Sequence, residues 1–177
     1  MTYTQHYDSP LGGILLAADD VGLTGLWFDG QKYFARGLSN ERIEQETSVL
    51  TETKRWLDIY FTGKAPDFTP PLHPIGSAFR RSVWEILLQI PYGQTATYGE
   101  IARQLAKKQG LDRMSAQAVG GAVGHNEISI IIPCHRVVGA DGSLTGYAGG
   151  IGKKEKLLEL ERADMSRFFV PKKGTAL

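Results

Sequence analysis

The spacing of apolar positions changes several times along the chain, and each change marks an element. Residues 3–7, 13–18 and 23–28 are short apolar-rich runs bounded by Ser9-Pro10-Leu11-Gly12 and Asp19-Asp20-Val21-Gly22. Both connections are rich in turn formers, so the three runs predict an antiparallel meander. Over residues 44–61 the period becomes helical, with Val49, Leu50, Thr53, Trp56, Leu57 and Tyr60 on one face. That helix is expected to cover the sheet. Residues 65–74 contain Pro66, Pro70, Pro71 and Pro74 and cannot continue a helix or a central strand, so they read as an interdomain linker.

The second half is helical in pattern. Residues 77–90 carry the stripe Phe79, Val83, Ile86, Leu87 and Ile90, ended by Pro91-Tyr92-Gly93. Thr97-Tyr98-Gly99-Glu100 has capping-box spacing, in which Thr97 and Glu100 satisfy free backbone donors and Tyr98 lands on the first helical turn. After Gly110 and Asp112, Ser115 is a second candidate N-cap, followed by Ala, Gln, Val and Gly only through Gly124. Two short helices around a glycine-containing turn, the second almost bare, read as a helix-turn-helix or as a glycine-rich packed helix. The expected fold is α+β: a small amino-terminal antiparallel sheet with a covering helix, then a mostly helical domain. The expected domains are 1–75 and 76–165, with a tail at 166–177.

Composition narrows the class. At 177 residues the chain can hold one medium domain or two small ones. A single cysteine excludes an internal disulfide and a Cys-rich zinc site, and no metal or cofactor is expected. With no signal peptide and no apolar stretch of spanning length, the expectation is a cytoplasmic monomer that does not engage membranes. The net charge of +1 hides an asymmetry, because residues 1–75 carry 6 Lys/Arg against 10 Asp/Glu and residues 76–177 carry 14 against 9. The basic second half is compatible with a phosphate-facing surface, and equally with solvated helices.

That half contains Cys134, set in Ile130-Ile131-Ile132-Pro133-Cys134-His135-Arg136-Val137-Val138. A neighbouring His or Arg can lower a thiol pKa from about 8.5 to roughly 3.5–7.5 and so supply a thiolate. A lone Cys in an Ile/Val run is also an ordinary buried core residue. Adjacent strand residues face opposite ways, so Cys134 and His135 cannot pair directly in regular strand. Pro133 is expected to end the strand and leave the thiol at the mouth of a turn.

Gly120-Gly121-Ala122, Asn126, Pro133-Cys134-His135-Arg136-Val137-Val138 and Thr145-Gly146-Tyr147-Ala148-Gly149-Gly150 together closely resemble the O6-alkylguanine-DNA alkyltransferases, also called methylated-DNA-protein-cysteine methyltransferases. The resemblance covers residues 79–161 at motif level, and the first 75 residues in layout only. It implies a ribonuclease H-like amino-terminal domain and a DNA repair protein. Such a protein binds duplex DNA through the minor groove, flips an O6-alkylguanine or O4-alkylthymine out of the stack, and takes its alkyl group irreversibly, once, onto a cysteine.

By the same resemblance Cys134 is the nucleophile, and His135 accepts its proton through a water. Glu161 orients the imidazole, and Asn126 braces the turn. Tyr98 stands at the lesion, where it rotates the phosphate and donates toward the purine. Val137, Tyr147, Ala148 and Lys154 belong to the pocket, while Ser115, Ala116, Gln117 and Gly120 join Tyr98 on the DNA-binding side. Arg136 fits a structural ion pair. Many members carry Arg where Gln117 stands, so weaker DNA engagement is expected unless Arg113 or another cation substitutes. The segment 106–114 is longer than usual, and Glu127 stands where Pro is common. The competing readings are a non-catalytic helix-turn-helix or lesion-sensing protein, and a cysteine hydrolase using Cys134 and His135.

Overall fold

The computed structural model describes residues 1–171, so the expectation for the tail can be followed only as far as Pro171. The Cα positions divide into two compact units, Met1–Ile75 with Glu127–Ile131, and Gly76–Asn126 with the chain from Ile132 onward.

In the first unit, β1 (Thr2–Ser9), β2 (Gly12–Ala18) and β3 (Leu23–Phe28) form the expected antiparallel meander. The first turn closes where the Ser9 hydroxyl donates to the Gly12 carbonyl at 2.6 Å. In the second, Asp19 Oδ1 accepts from the backbone of Val21 and Gly22 at 2.9 and 3.0 Å, the self-capping that makes Asp a turn residue. A fourth strand, β4 (Arg42–Glu44), pairs parallel with β1, and the sheet order is β3-β2-β1-β4.

This edge strand corrects the expected helix start at residue 44. α1 (Ser48–Tyr60) begins where the Thr47 hydroxyl accepts from Leu50 N, and it buries Leu50, Thr53, Trp56, Leu57 and Tyr60. All three β4 residues are exposed, so no burial pattern signals the strand in the sequence. The proline-rich segment also differs from a free linker. Leu23 N donates to the Pro71 carbonyl and His73 N to the Leu23 carbonyl, both at 2.8 Å. A proline can offer its carbonyl at a sheet edge although it has no N–H, and a short bridge to β3 results.

In the second unit, α2 (Ala78–Leu87) is capped by Ser77, and Trp84 Nε1 donates to the Ala122 carbonyl at 2.9 Å. α3 (Tyr98–Gln109) begins as predicted, with Thr97 Oγ1 accepting from Glu100 N at 3.1 Å, and it ends at Gly110 with φ +68°, the left-handed conformation glycine accepts freely. α4 (Ala116–Gly124) follows its cap Ser115. β5 (Ala96–Thr97) and β6 (Val137–Val138) form a short parallel pair, which ties the start of α3 to the chain just after Cys134. α5 (Ile151–Leu160) completes the unit.

No regular strand precedes the cysteine. Residues 129–132 are turns and a bend, with Ile130 at φ +69°, Ile131 N donating to the Ser129 carbonyl and Cys134 N to the Ile132 carbonyl. The apolar run is buried without strand geometry, and short turns take up the Ile131 amide and the Ile132 carbonyl.

Candidate active site

Cys134, His135 and Arg136 form one 3-10 turn leading into β6. With about three residues per turn, the side chains leave the axis in different directions. The strand-based argument for separating Cys134 and His135 is therefore replaced by a turn, with a similar consequence: sulfur and imidazole serve different neighbours.

Asn126 holds the turn from outside. Its Nδ2 donates to the Ile132 carbonyl at 2.9 Å, and its side chain also hydrogen-bonds the Cys134 sulfur. Asn126 and Cys134 are both buried. Burial pushes the Cys134 thiol pKa up, and the Asn126 hydrogen bond and the Lys154 charge offset this only in part. The expected lowering by neighbouring cations therefore loses to desolvation in the resting protein, because a buried thiolate lacks water to solvate it.

His135 and Arg136 turn toward Glu161, which sits at the carboxyl end of α5. His135 Nε2 lies 2.6 Å from Glu161 Oε2. Arg136 donates from Nε to Oε1 at 2.8 Å and from Nη2 to Oε2 at 3.1 Å, a two-point grip of the kind a planar guanidinium favours. Arg136 Nη1 also donates to the Ile90 carbonyl at 2.7 Å, and Gly93 N donates to Glu161 Oε1 at 3.0 Å. Burial alone would raise the Glu161 pKa, but the hydrogen bonds and charges of His135 and Arg136 outweigh it and hold the carboxyl well below its usual range.

Burial lowers the His135 pKa, against the pull of Glu161 and with help from the charges of Arg136 and Lys154. We assign a neutral imidazole beside an ionised carboxylate, since Arg136 already supplies the compensating charge. Glu161 can only accept, so the shared proton sits on Nε2 and Nδ1 keeps its lone pair. Nδ1 is buried and meets no hydrogen-bond partner among the described residues.

The loop after β6 approaches from the other side. Tyr98 Oη donates to the Thr145 carbonyl at 3.1 Å, and Lys154 Nζ donates to the Thr145 and Val137 carbonyls at 2.5 Å. Lys154 is fully buried. Burial brings its pKa down to about 8, with the Cys134 charge acting in the opposite sense. Burial, followed by the Cys134 charge, pushes the Tyr98 pKa up to about 12, so the phenol keeps its proton at neutral pH.

A Cβ on Gly146 would come within 2.4 Å of Tyr98 Oη, and Gly146 also has φ +79°. Both facts require glycine there. Tyr147 is buried, with its ring edge-on to His135 at 6.4 Å between centroids. Val137 is buried and Ala148 half-buried.

The structure thus gathers Cys134, His135, Glu161, Asn126, Tyr98, Val137, Tyr147 and Lys154 within one compact unit. Ser115, Ala116 and Gln117 are exposed at the start of α4, and the ring of Tyr98 lies against Gly120 at ordinary contact distance from where a Cβ would stand. The sequence reading missed the shared Thr145 carbonyl, the Gly93 amide and the burial of Lys154. Lys154 had a signal, because it falls on the same helical face as Leu157 and Leu158. Among the described residues no group of three or more His, Cys, Asp or Glu side chains could hold a metal, and no helix is long and apolar enough to cross a membrane.

The chain matches known proteins along most of its length. Residues 78–163 match the 6-O-methylguanine DNA methyltransferase DNA-binding domain, and residues 2–74 the ribonuclease-like domain of the same family. The methylated-DNA-protein-cysteine methyltransferase of Methanosarcina acetivorans is 44% identical over 160 residues, covering 90% of this chain and 97% of that protein. The Mycobacterium bovis protein of that name is 41% identical over 172 residues, covering 95% and 99%. Among solved structures, Mycobacterium tuberculosis OGT in complex with DNA superposes with a TM-score of 0.78 at 40% identity, covering 94% of each chain.

Proposed function

The chain belongs to the 6-O-methylguanine DNA methyltransferase family, and on that premise we propose that Cys134 is the acceptor of the alkyl group. The protein is a single-turnover DNA repair methyltransferase that removes the alkyl group of O6-alkylguanine. The observation that carries the assignment of residues is the division of labour in the 3-10 turn. The sulfur is hydrogen-bonded by Asn126 and lies within reach of the Lys154 charge, while the imidazole is locked to an ionised Glu161 with its free lone pair on Nδ1.

In this reading the resting sulfur is a thiol. With the alkylated guanine seated, His135 Nδ1 takes the thiol proton through one water, and the Glu161 carboxylate, held in place by Arg136, stabilises the imidazolium that forms. The sulfur attacks the alkyl carbon, an S–C bond forms, and the C–O6 bond breaks with its electron pair moving into the purine. Tyr98 donates a proton to the purine ring, so guanine departs neutral. The thiol proton then sits on His135 and Tyr98 is left a phenolate; return of the His135 proton through water restores both side chains, so the net change is thiol plus O6-alkylguanine to thioether plus guanine. Lys154 holds the loop of Thr145 and places a positive charge near the developing thiolate.

Ser115, Ala116, Gln117 and Gly120 present the bare face of α4 to the minor groove, where small residues permit close approach to the duplex. Tyr98 stands at the displaced base, which enters a pocket bounded by Val137, Tyr147 and Ala148. O4-alkylthymine enters the same pocket, and the protein acts as a monomer in the cytoplasm. The division into an amino-terminal domain at 1–75 and an alkyl-acceptor domain at 76–165 belongs to the same proposal.

The Tyr98→Phe variant tests the acid. It should bind a duplex containing O6-methylguanine nearly as the parent does and transfer the methyl group about a hundredfold more slowly in single-turnover quench experiments. Equal rates would remove Tyr98 from the chemistry.

A further inference from the structure

The first turn of α4 carries no charge: Ser115, Ala116, Gln117 and Ala118 are exposed and neutral. A helix that approaches DNA so bare needs cations near it, since phosphate neutralisation supplies most of non-specific affinity. The molecule has such a group in an adjacent groove. Between α3 and the segment leading to α4 lies a depression of about 530 Å³, lined among others by Arg103, Lys107, Arg113, Asp112 and Met114.

Arg103 and Lys107 are one helical turn apart and share a face of α3, while Arg113 comes from the connecting segment. All three are exposed, and none makes an ion pair among the described residues. By contrast their neighbour Lys108 reaches Glu85 at 3.4 Å. Arg103 Nη1 lies 3.4 Å from where a Cβ on Gly99 would stand, so its guanidinium runs back along the first turn of α3 to Gly99. Asp112 is the single carboxylate among the groove residues and leaves them with a net charge of +2.

Three uncompensated cations converging on a concave surface match a phosphodiester, which offers negative oxygens to several donors at once. We propose that this groove seats one backbone phosphate of the duplex beside the flipped nucleotide, and that it supplies the positive charge that Gln117 lacks. The longer connection between α3 and α4 is then what carries Arg113 to the groove. The inference rests on the DNA-repair reading above and adds to it a phosphate-binding site outside the reaction centre.

The test compares the parent, the variant R103Q/K107Q/R113Q and a control, K32Q/R42Q/K64Q, that removes the same charge from exposed positions of the amino-terminal unit. Affinity for a labelled duplex containing O6-methylguanine is measured by fluorescence anisotropy over a series of salt concentrations, with thermal unfolding as the check on each fold. The groove variant should lose about 0.9 from the magnitude of the log–log salt slope, so a fourfold rise in salt should cost it about 3.5-fold less affinity than it costs the parent. The control should keep the parental slope. An unchanged slope in the groove variant, or an equal loss in the control, overturns the proposal.

Should the triple variant unfold, R103Q and R113Q singly give the same readout. Reaction of the parent with a free O6-alkylguanine base is followed in parallel. If that fails, the repair reading fails, while the salt slopes still report on the groove.

Discussion

Cys134→Ala is expected to abolish alkyl transfer while leaving duplex binding within about twofold of the parent. The sulfur is the proposed acceptor, and no second cysteine is present to substitute. The α4 residues proposed to face DNA are separate from the turn that carries it, so binding should survive. The substitution removes a small side chain from a buried position, a change that costs about 1 kcal/mol and leaves the fold intact. Binding and transfer measured on the same preparation separate the two effects, and residual stoichiometric transfer by the variant would place the acceptor elsewhere.

The second large effect is expected at Glu161. The carboxylate receives His135 Nε2 and two Arg136 nitrogens away from solvent, and the half-buried Gly93 amide, all within 3.1 Å. Glu161→Gln keeps the shape but leaves the Arg136 guanidinium buried with no opposing charge. Breaking one partner of a buried pair costs about 3–5 kcal/mol, and urea titration of the variant should show a loss of that size at neutral pH.

The sign of its pH dependence follows from the depressed Glu161 pKa. A carboxyl that ionises more readily folded than unfolded contributes its full stability above the ordinary carboxylate range, and that contribution fades as the pH falls from that range toward the depressed folded value. The gap between parent and E161Q should therefore be widest near neutrality and narrow below about pH 4. Transfer should slow as well, since neutral Gln cannot stabilise the imidazolium. A gap independent of pH would mean that Glu161 is held by shape and not by charge.

The parts of this molecule that the sequence declares are those set by local chemistry. Thr97 and Ser115 cap helices because a hydroxyl three residues ahead of a free amide is a local fact, and the stripe of Leu50, Thr53, Trp56, Leu57 and Tyr60 needs only the helical period. β4 escapes such reading because Arg42, Ile43 and Glu44 are all exposed and their pairing partner is forty residues away.

The turn at Cys134 escapes it for another reason. Ile130, Ile131 and Ile132 favour strand by composition, but the Ile131 amide and the Ile132 carbonyl are taken up by short turns and by Asn126. The direction of the Cys134 pKa depends on how deeply the turn is buried, which no spacing encodes. The partnership of His135 with Glu161 across 26 positions was drawn from the family resemblance and not from the residues between them. Lys154 lay in view on an apolar stripe, yet its two carbonyl partners become visible only when the loop of Thr145 is placed.

The central claim concerns one sulfur atom, and intact-peptide mass spectrometry addresses it directly. After incubation with a duplex containing O6-methylguanine, the peptide that carries Cys134 should gain the mass of one methylene unit, once per protein molecule, in step with the appearance of unmodified guanine. A repaired duplex beside an unmodified Cys134 peptide would contradict the account.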